Sequence, residues 1–357
     1  MSADRPGSID FEQTRQGHSQ LPADLEYRCR ALVSELGLGR ETDMVRVEPL
    51  TGGVASDIAR VDLQDRAICV KFARPKLKVA ADWRAPVHRN AAEYAWLSVA
   101  AKLLPSSAVQ LFGRSESQHG FAMEFLAGKE VYLWKSALLR EAPDRHEAEQ
   151  VADMLGRIHA ASAQPEFDIA PFRNRDDFRA LRIEPYLGFT ATRHPDLAEP
   201  IGALKAMLYE SQQVLVHGDV SPKNILFRLT GPVLLDAECA TMGDASFDPA
   251  FCLNHLVLKS VHLPGTRDRL LGDVGKFWAA YSSHVSWEPA ETLEARICLL
   301  LPALMLARVD GKSPVEYLDE EERSLVRRIA VSLIRRPEAD LSAFIARLAE
   351  EVREKNA

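Results

Sequence analysis

Leu215-Val216-His217-Gly218-Asp219-Val220-Ser221-Pro222-Lys223-Asn224-Ile225-Leu226-Phe227 sets a polar loop between two short apolar runs. The carboxylate Asp219 and the amide Asn224 stand five residues apart in it. A further apolar run, Val233-Leu234-Leu235, ends directly in a second carboxylate, Asp236. Buried strands that end in polar groups deliver those groups to a cleft, and this set suits phosphoryl transfer. One carboxylate orients an acceptor hydroxyl and takes its proton, while an amide oxygen and another carboxylate hold magnesium on the phosphates. A turn in which Asp219 merely caps the next residues accounts for the tripeptide alone. It does not account for the spacing to Asn224 or for the strand-terminal Asp236. His217 reads as a packing and hydrogen-bonding support of the loop.

Before this loop the chain is β-rich. Met44 to Val47 and Ile58 to Leu63 alternate, and Ala67-Ile68-Cys69-Val70-Lys71-Phe72 is an apolar run broken by one lysine. Pro86 to Leu104 has helical spacing in Ala91, Ala95, Leu97 and Ala101. Val109 to Phe112 and Phe121 to Leu126 complete a set of five strands and one helix. After Gly128 the pattern turns helical, first in Ala148 to Ala161 with Val151, Met154, Leu155 and Ile158 on one face. Residues 164 to 200 read as a loop-and-helix insertion, and Leu341, Phe344, Ile345, Leu348 and Val352 mark a closing amphipathic helix. The expected architecture is α+β and bilobal. A loose tail covers 1–20, a small antiparallel sheet lobe with one helix covers 21–127, and a larger helical lobe covers 128–357.

A lysine inside an apolar strand needs a partner, because an isolated buried charge is costly. For Lys71 the candidate is Glu93 on the following helix; the alternatives are an edge strand with Lys71 in solvent and a solvated helix face for Glu93. Thr51-Gly52-Gly53-Val54-Ala55-Ser56 joins two strands and departs from G-x-G-x-x-G, so a plain hairpin turn explains it equally well. Gly311-Lys312-Ser313 has Leu306 where a phosphate-binding loop requires glycine, and reads as a turn ending a helix.

His217-Gly218-Asp219 with Asn224 resembles the catalytic loop of the aminoglycoside phosphotransferase and choline kinase-like family, which shares the protein-kinase fold. Leu155-Gly156-Arg157-Ile158-His159-Ala160 resembles the family's L-x-x-L-H-x helix, and the likeness covers roughly residues 45 to 310. It implies Asp219 as catalytic base and Asn224 and Asp236 as magnesium ligands. It implies Lys71, oriented by Glu93, on the α/β-phosphates of ATP, with Gly52, Gly53 and Ser56 over the phosphates. Phe121 to Gly128 resembles the strand and hinge between the lobes, with adenine bonding the backbone near Glu124 and Leu126. Glu238 is a candidate for a second metal or the acceptor, or else a solvated loop carboxylate. Asp248, opening a helix in Ser246-Phe247-Asp248-Pro249-Ala250, is expected as an N-cap. Asp244 and Asp319 to Glu322 are expected as solvated charges.

The activity so implied is ATP- and magnesium-dependent phosphotransfer to a hydroxyl of a small molecule of sugar, amino alcohol or aminoglycoside type. Residues 164 to 212 and 255 to 320 would form the acceptor pocket. Arg173, Arg175, Arg179, Arg182 and Arg193 weaken the antibiotic reading, since they either suit a neutral or anionic acceptor or form a solvated face. Two alternatives stand beside it. A protein kinase is disfavoured by Gly218 in place of arginine and by the absence of A-P-E after Asp236. A silent nucleotide-binding regulator is disfavoured by the intact set Lys71, Asp219, Asn224 and Asp236.

Composition sets the limits. With 44 Lys plus Arg against 51 Asp plus Glu, the net charge of −7 gives no footprint for nucleic acid. Cys29, Cys69, Cys239, Cys252 and Cys298 form no C-x-x-C pair, which argues against a zinc site or a disulfide framework. The first twenty residues lack the apolar stretch of a secretory signal, and Ile297 to Ala307 is too short to span a bilayer. The expectation is a cytoplasmic protein with no membrane or protein partner indicated.

Overall fold

A computed structural model of the chain describes residues 23–50, 56–75 and 86–354. Five strands, β1 (Met44–Pro49), β2 (Ser56–Leu63), β3 (Ala67–Ala73), β4 (Leu111–Ser115) and β5 (Gly120–Glu124), form an antiparallel sheet in the order β1-β2-β3-β5-β4. β3 lies in the middle, which explains its continuous apolar run. Ile68, Val70 and Phe72 point to one face, where they pack with Leu25, Cys29, Leu32 and Val33 of α1 (Ala23–Glu35). Cys69 belongs to the opposite face and packs with Trp96 and Leu97 of α2 (Arg89–Leu103) and with Phe121 and Met123 of β5. Period-two alternation therefore sends Lys71 to the α2 side. Its central strand and 2% exposure rule out the edge-strand alternative.

The sequence reading gave this lobe one helix, and the structure adds α1. Its apolar residues recur at the first, fifth, eighth and ninth positions of Leu25 to Val33, but Glu26, Arg28 and Arg30 crowd between them and weaken the stripe. Residues 1–20 of the expected tail lie outside the described residues, as do Gly52 and Gly53.

The second lobe carries two small sheets beneath the cleft. β6 (Tyr132–Leu133) pairs with β8 (Ile225–Arg228), which pairs with β9 (Gly231–Leu234); β7 (Val214–Val216) pairs with β10 (Thr241–Gly243). Sequence reading missed β6, whose two residues carry no pattern, and β10, whose Thr241-Met242-Gly243 lacks the apolar run that marks the equally short β7. The helices are α3 (Trp134–Leu139), α4 (Glu147–Ser162), α5 (Arg175–Phe178), α6 (Phe189–Arg193), α7 (Ala198–Glu210), α8 (Phe247–His262), α9 (Arg267–Ser282), α10 (Ala290–Asp310), α11 (Glu320–Arg335) and α12 (Leu341–Glu354). Between α5 and α6 runs a π-helical stretch, Arg179–Gly188, containing Pro185. Such wide turns occur often at functional sites.

Helices α8 and α10 fill the centre of this lobe. Every residue of α8 from Phe247 to Val261 is buried, as is most of α10, including Pro302. Ile297 to Ala307 is thus a core helix, and among the described residues no helix is long and apolar enough to cross a membrane. All five cysteines are free and buried. Asp319 is exposed but is more than a solvated charge. It caps α11, accepting from the Glu322 amide at 2.8 Å while Glu322 accepts from the Asp319 amide at 2.9 Å.

Phe121 joins the two layers of the sheet lobe: it is fully buried on β5 and meets the Tyr94 ring edge-on at 5.7 Å. Phe121→Ala is predicted to cost about 3–5 kcal/mol, read from the urea midpoint at unchanged slope. A loss below about 1 kcal/mol would contradict this packing.

Candidate active site

The loop after β7 is shaped by an acid from another element. Asp248, fully buried in the first turn of α8, accepts from the amides of His217 at 2.6 Å and Gly218 at 2.9 Å. Its expected N-cap role is corrected here, because Ser246 occupies the cap position and the Asp248 carboxylate faces the loop instead. His159 of α4 supports it, with Nε2 3.4 Å from Asp248 and Nδ1 2.7 Å from the Tyr281 hydroxyl. Asp244 is likewise no solvated charge. It is buried, accepts from the Ser246 hydroxyl at 2.6 Å and pairs with Arg296 at 3.2 Å.

His217 fits the supporting role. Its Nδ1 accepts from the Asp219 amide at 3.1 Å, and its ring meets Trp96 edge-on at 4.6 Å. Burial lowers its pKa, outweighing the attraction of Asp248, so the imidazole stays neutral. Gly218 has φ +82°, and a Cβ there would stand 2.7 Å from the Cβ of Cys239. The loop therefore has no room for an arginine at this position.

A guanidinium reaches the loop from elsewhere. Arg182, in the π-helical stretch, donates through Nε to the Gly218 carbonyl, and its Nη2 lies 3.0 Å from Asp219 Oδ2. Sequence reading grouped Arg182 with arginines facing an acceptor or solvent; it is buried and belongs to the loop. Lys223 Nζ lies 3.2 Å from the same carboxylate oxygen, and the Ser221 hydroxyl donates to the other at 3.2 Å. Burial opposes ionisation of Asp219. The Lys223 and Arg182 cations prevail and hold it well below the ordinary carboxylate range.

Asn224 connects Asp219 with Asp236. Its side-chain amide donates to the Asp219 carbonyl at 3.1 Å, and its own carbonyl accepts from the Leu235 amide at 2.9 Å. Asp236 follows at φ +70°, a left-handed conformation uncommon outside glycine, which turns its carboxylate toward the sheet lobe. There it accepts from Lys71 Nζ, which also donates to Glu93 at 2.7 Å. Lys71 and Glu93 are each 2% exposed. Burial disfavours the ammonium, but Asp236 and Glu93 raise its pKa above the ordinary lysine value. One ammonium serves two carboxylates, and burial pushes the Glu93 carboxyl up to about 7 despite Lys71. Asp236, which is part-exposed, is held below the usual range by Lys71 and Lys223 against its partial desolvation.

Glu238 is not a solvated loop carboxylate. It is buried and accepts from Arg89 Nε at 2.8 Å, a clasp between the start of α2 and the segment after Asp236. Arg89 also donates to the carbonyls of Arg74 and Pro86, each at 2.8 Å. Ser56 is buried at the start of β2. At the hinge, the Glu124 amide is taken by the Gln110 carbonyl at 2.8 Å, and its carboxylate accepts from the Gln110 amide at 3.1 Å. Leu126 lies half-buried in the extended segment after β5. Asn224 and Asp236 both carry hard oxygen donors, and the Leu235 amide on the Asn224 carbonyl brings their backbones close. Among the described residues no three His, Cys, Asp or Glu side chains gather as a metal site of their own.

A family model described as the phosphotransferase enzyme family matches residues 46–278, which include all of these groups from Lys71 to Asp248. The chain belongs to that family. A methylthioribose kinase from Erwinia tasmaniensis is 22% identical over 250 residues, covering 60% of this chain and 62% of that protein. The chain thus matches under two thirds of that relative's length. A choline/ethanolamine kinase family protein from Mesorhizobium loti superposes with a TM-score of 0.53 at 15% identity, over 93% of this chain and 99% of that one. An ethanolamine kinase from Plasmodium vivax gives 0.52 at 12% identity, over 93% and 89%. The family member thus has the bilobal, protein-kinase-like fold.

Removal of the Asp248 carboxylate strands two buried amides. Asp248→Ala is predicted to cost about 2–5 kcal/mol by chemical denaturation, against about 1 kcal/mol for the exposed cap variant Asp319→Ala. Equal losses would mean that Asp248 does not anchor the loop.

Proposed function

We propose that the chain transfers the γ-phosphate of ATP to a hydroxyl of a small molecule. Residues 21–127 serve the nucleotide, and 128–357 serve the reacting loop and the acceptor. The convergence of Lys71, Glu93 and Asp236 across the cleft, tied through Asn224 to Asp219, carries this reading. A relative named a methylthioribose kinase supports a small-molecule acceptor.

Asp219 is the catalytic residue. Its carboxylate accepts a hydrogen bond from the acceptor hydroxyl and fixes that oxygen in line with the phosphorus. Arg182 and Lys223 keep it ionised, so it is a weak base and works mainly through orientation. A loose transition state suits this, because the hydroxyl proton need not leave before the phosphoryl group arrives. Lys71 neutralises phosphate oxygens of the nucleotide, and Glu93 holds its ammonium in place. Ser56, at the start of β2, and by sequence Gly52 and Gly53 are assigned to the phosphates, and backbone groups near Glu124 and Leu126 to the adenine edge.

Magnesium suits Asn224 and Asp236, since it prefers oxygen ligands and commonly takes one or two from protein while phosphates and water supply the rest. When bound, it supplies charge screening of the phosphates.

ADP release measured across sugars, amino alcohols, nucleosides and aminoglycosides tests the activity; ATP binding with no turnover on any of them would favour a silent regulator. Asp219→Ala is expected to lower turnover at least about 100-fold with ATP affinity largely kept. An undiminished rate would remove Asp219 from this role. Asp236→Asn is expected to raise the magnesium concentration needed for half-maximal rate, and an unchanged requirement would refute the ligand assignment.

A further inference from the structure

Beside the loop of Asp219 lies a small cleft of about 30 Å³, lined by Lys135, Lys223, His255, Lys259, Arg308 and Tyr317 among others. Four elements deliver cations to it. Lys135 comes from α3, Lys223 from the loop itself, Lys259 from α8 one turn beyond His255, and Arg308 from α10. Two of these charges are answered. Lys223 pairs with Asp219 at 3.2 Å, and Lys135 pairs with the exposed Glu316 at the rim.

The other two are not. Among the described residues no carboxylate reaches Lys259 or Arg308. Lys259 is 1% exposed, and its Nζ stands 4.8 Å over the Tyr317 ring, a contact that offsets only part of the loss of water. Arg308 is 8% exposed and bonds the Ser313 carbonyl and hydroxyl and the Tyr186 hydroxyl, all neutral. Its Nε and the Tyr317 hydroxyl are buried without a hydrogen-bond partner. Burial and the nearby Lys135 and Arg308 cations bring the Lys259 pKa down to about 7 against the weaker pull of Glu316. Burial, with Lys259 and Arg308 nearby, depresses His255 well below its ordinary value. The cleft has spare donors, and Glu316, the carboxylate in its lining, is taken by Lys135, which leaves Lys259 and Arg308 without an ion-pair partner among the described residues.

We infer that the acceptor is an anionic hydroxy compound whose carboxylate or phosphate ester sits between Lys259 and Arg308 while its hydroxyl meets Asp219. This rests on the phosphotransfer reading above. The two positions belong together because Pro222 and Lys223 line the cleft and lie within four residues of Asp219. An acidic group there supplies the missing acceptors for Lys259, Arg308 Nε and the Tyr317 hydroxyl through charge-assisted hydrogen bonds. An ammonium or quaternary amine in the same place would face the Arg308 cation and the Lys259 amine with the Glu316 carboxylate already held by Lys135, which gives selectivity by unfavourable contact. The anion-facing groups are thus Lys259 and Arg308, and not the insertion arginine Arg182, which is committed to the loop.

Two matched series test this on the full chain. One is glycerol, 3-amino-1,2-propanediol, glycerate and glycerol 3-phosphate; the other is glucose, glucosamine, gluconate and glucose 6-phosphate. Acidic members are expected to raise the melting temperature and to stimulate ADP release, with the carboxylate and phosphate arms showing which acid is preferred. Neutral and amino members are expected to do neither. Lys259→Met, which removes an unpaired buried charge at similar volume, is expected to melt no lower than the parent. It should also raise the KM for the best acidic member at least about tenfold, with a smaller change in kcat. Arg308→Gln provides the same readout if Lys259→Met does not fold. A preference for neutral or amino members, or acid binding indifferent to both substitutions, would overturn the inference, as would the absence of any acid-specific melting shift. An acid-specific shift that needs Lys259, without ADP release from any compound, would uphold the anion site and count against phosphotransfer instead.

Discussion

A single ammonium buried at the centre of a sheet ties the two lobes together. Lys71 sits on the middle strand, where the desolvation of a charge is tolerated only with close counter-charges and good geometry. One counter-charge, Glu93, comes from the same lobe; the other, Asp236, comes from the opposite lobe. Closing the cleft is therefore part of how the sheet stabilises its own lysine. The neighbouring Arg89–Glu238 pair crosses the same boundary with the same logic. Both clasps use residues flanking the strand-terminal turn, so the position of that turn fixes how the lobes meet.

On the other side of the cleft the loop is held from behind. Asp248 takes two consecutive amides, His159 and Tyr281 hold Asp248, and Trp96 closes over His217. With the backbone immobilised this way, the one flexible requirement is at residue 218, where positive φ and the proximity of Cys239 leave space only for glycine. The positive charge beside Asp219 then has to come from outside the loop, and the widened turn around Arg182 brings it. Loop, glycine and π-helical insertion are one solution to the problem of placing a carboxylate and its cations in a dry, fixed geometry.

Much of this was legible from residue order. The apolar run broken by Lys71, its partner Glu93 and the alternating strands followed from the rule that charge and apolar surface do not mix without compensation. The polar loop bounded by apolar triplets located Asp219, Asn224 and Asp236 together. The misreadings share one cause. Asp244 and Arg182 read as surface charges, Asp248 as a local cap and Glu238 as a metal, acceptor or solvated carboxylate, because their partners lie between 30 and 149 residues away. Helix α1 was hidden because charges are packed between its apolar positions, β6 because two residues carry no period, and β10 because Thr241-Met242-Gly243 is not an apolar run.

Local pattern determined which segments are strands, which are helices, and which polar groups must sit where strands end, because burial period and turn chemistry act over a few residues. Tertiary structure alone decided which charges are answered and which are left bare. It assigned Asp248 to a loop, Glu238 to Arg89 and Arg182 to Asp219, and it left Lys259 and Arg308 lining one cleft without an ion-pair partner among the described residues. Electrostatic pairing depends on distance through space, and the order of residues along a chain does not record that distance.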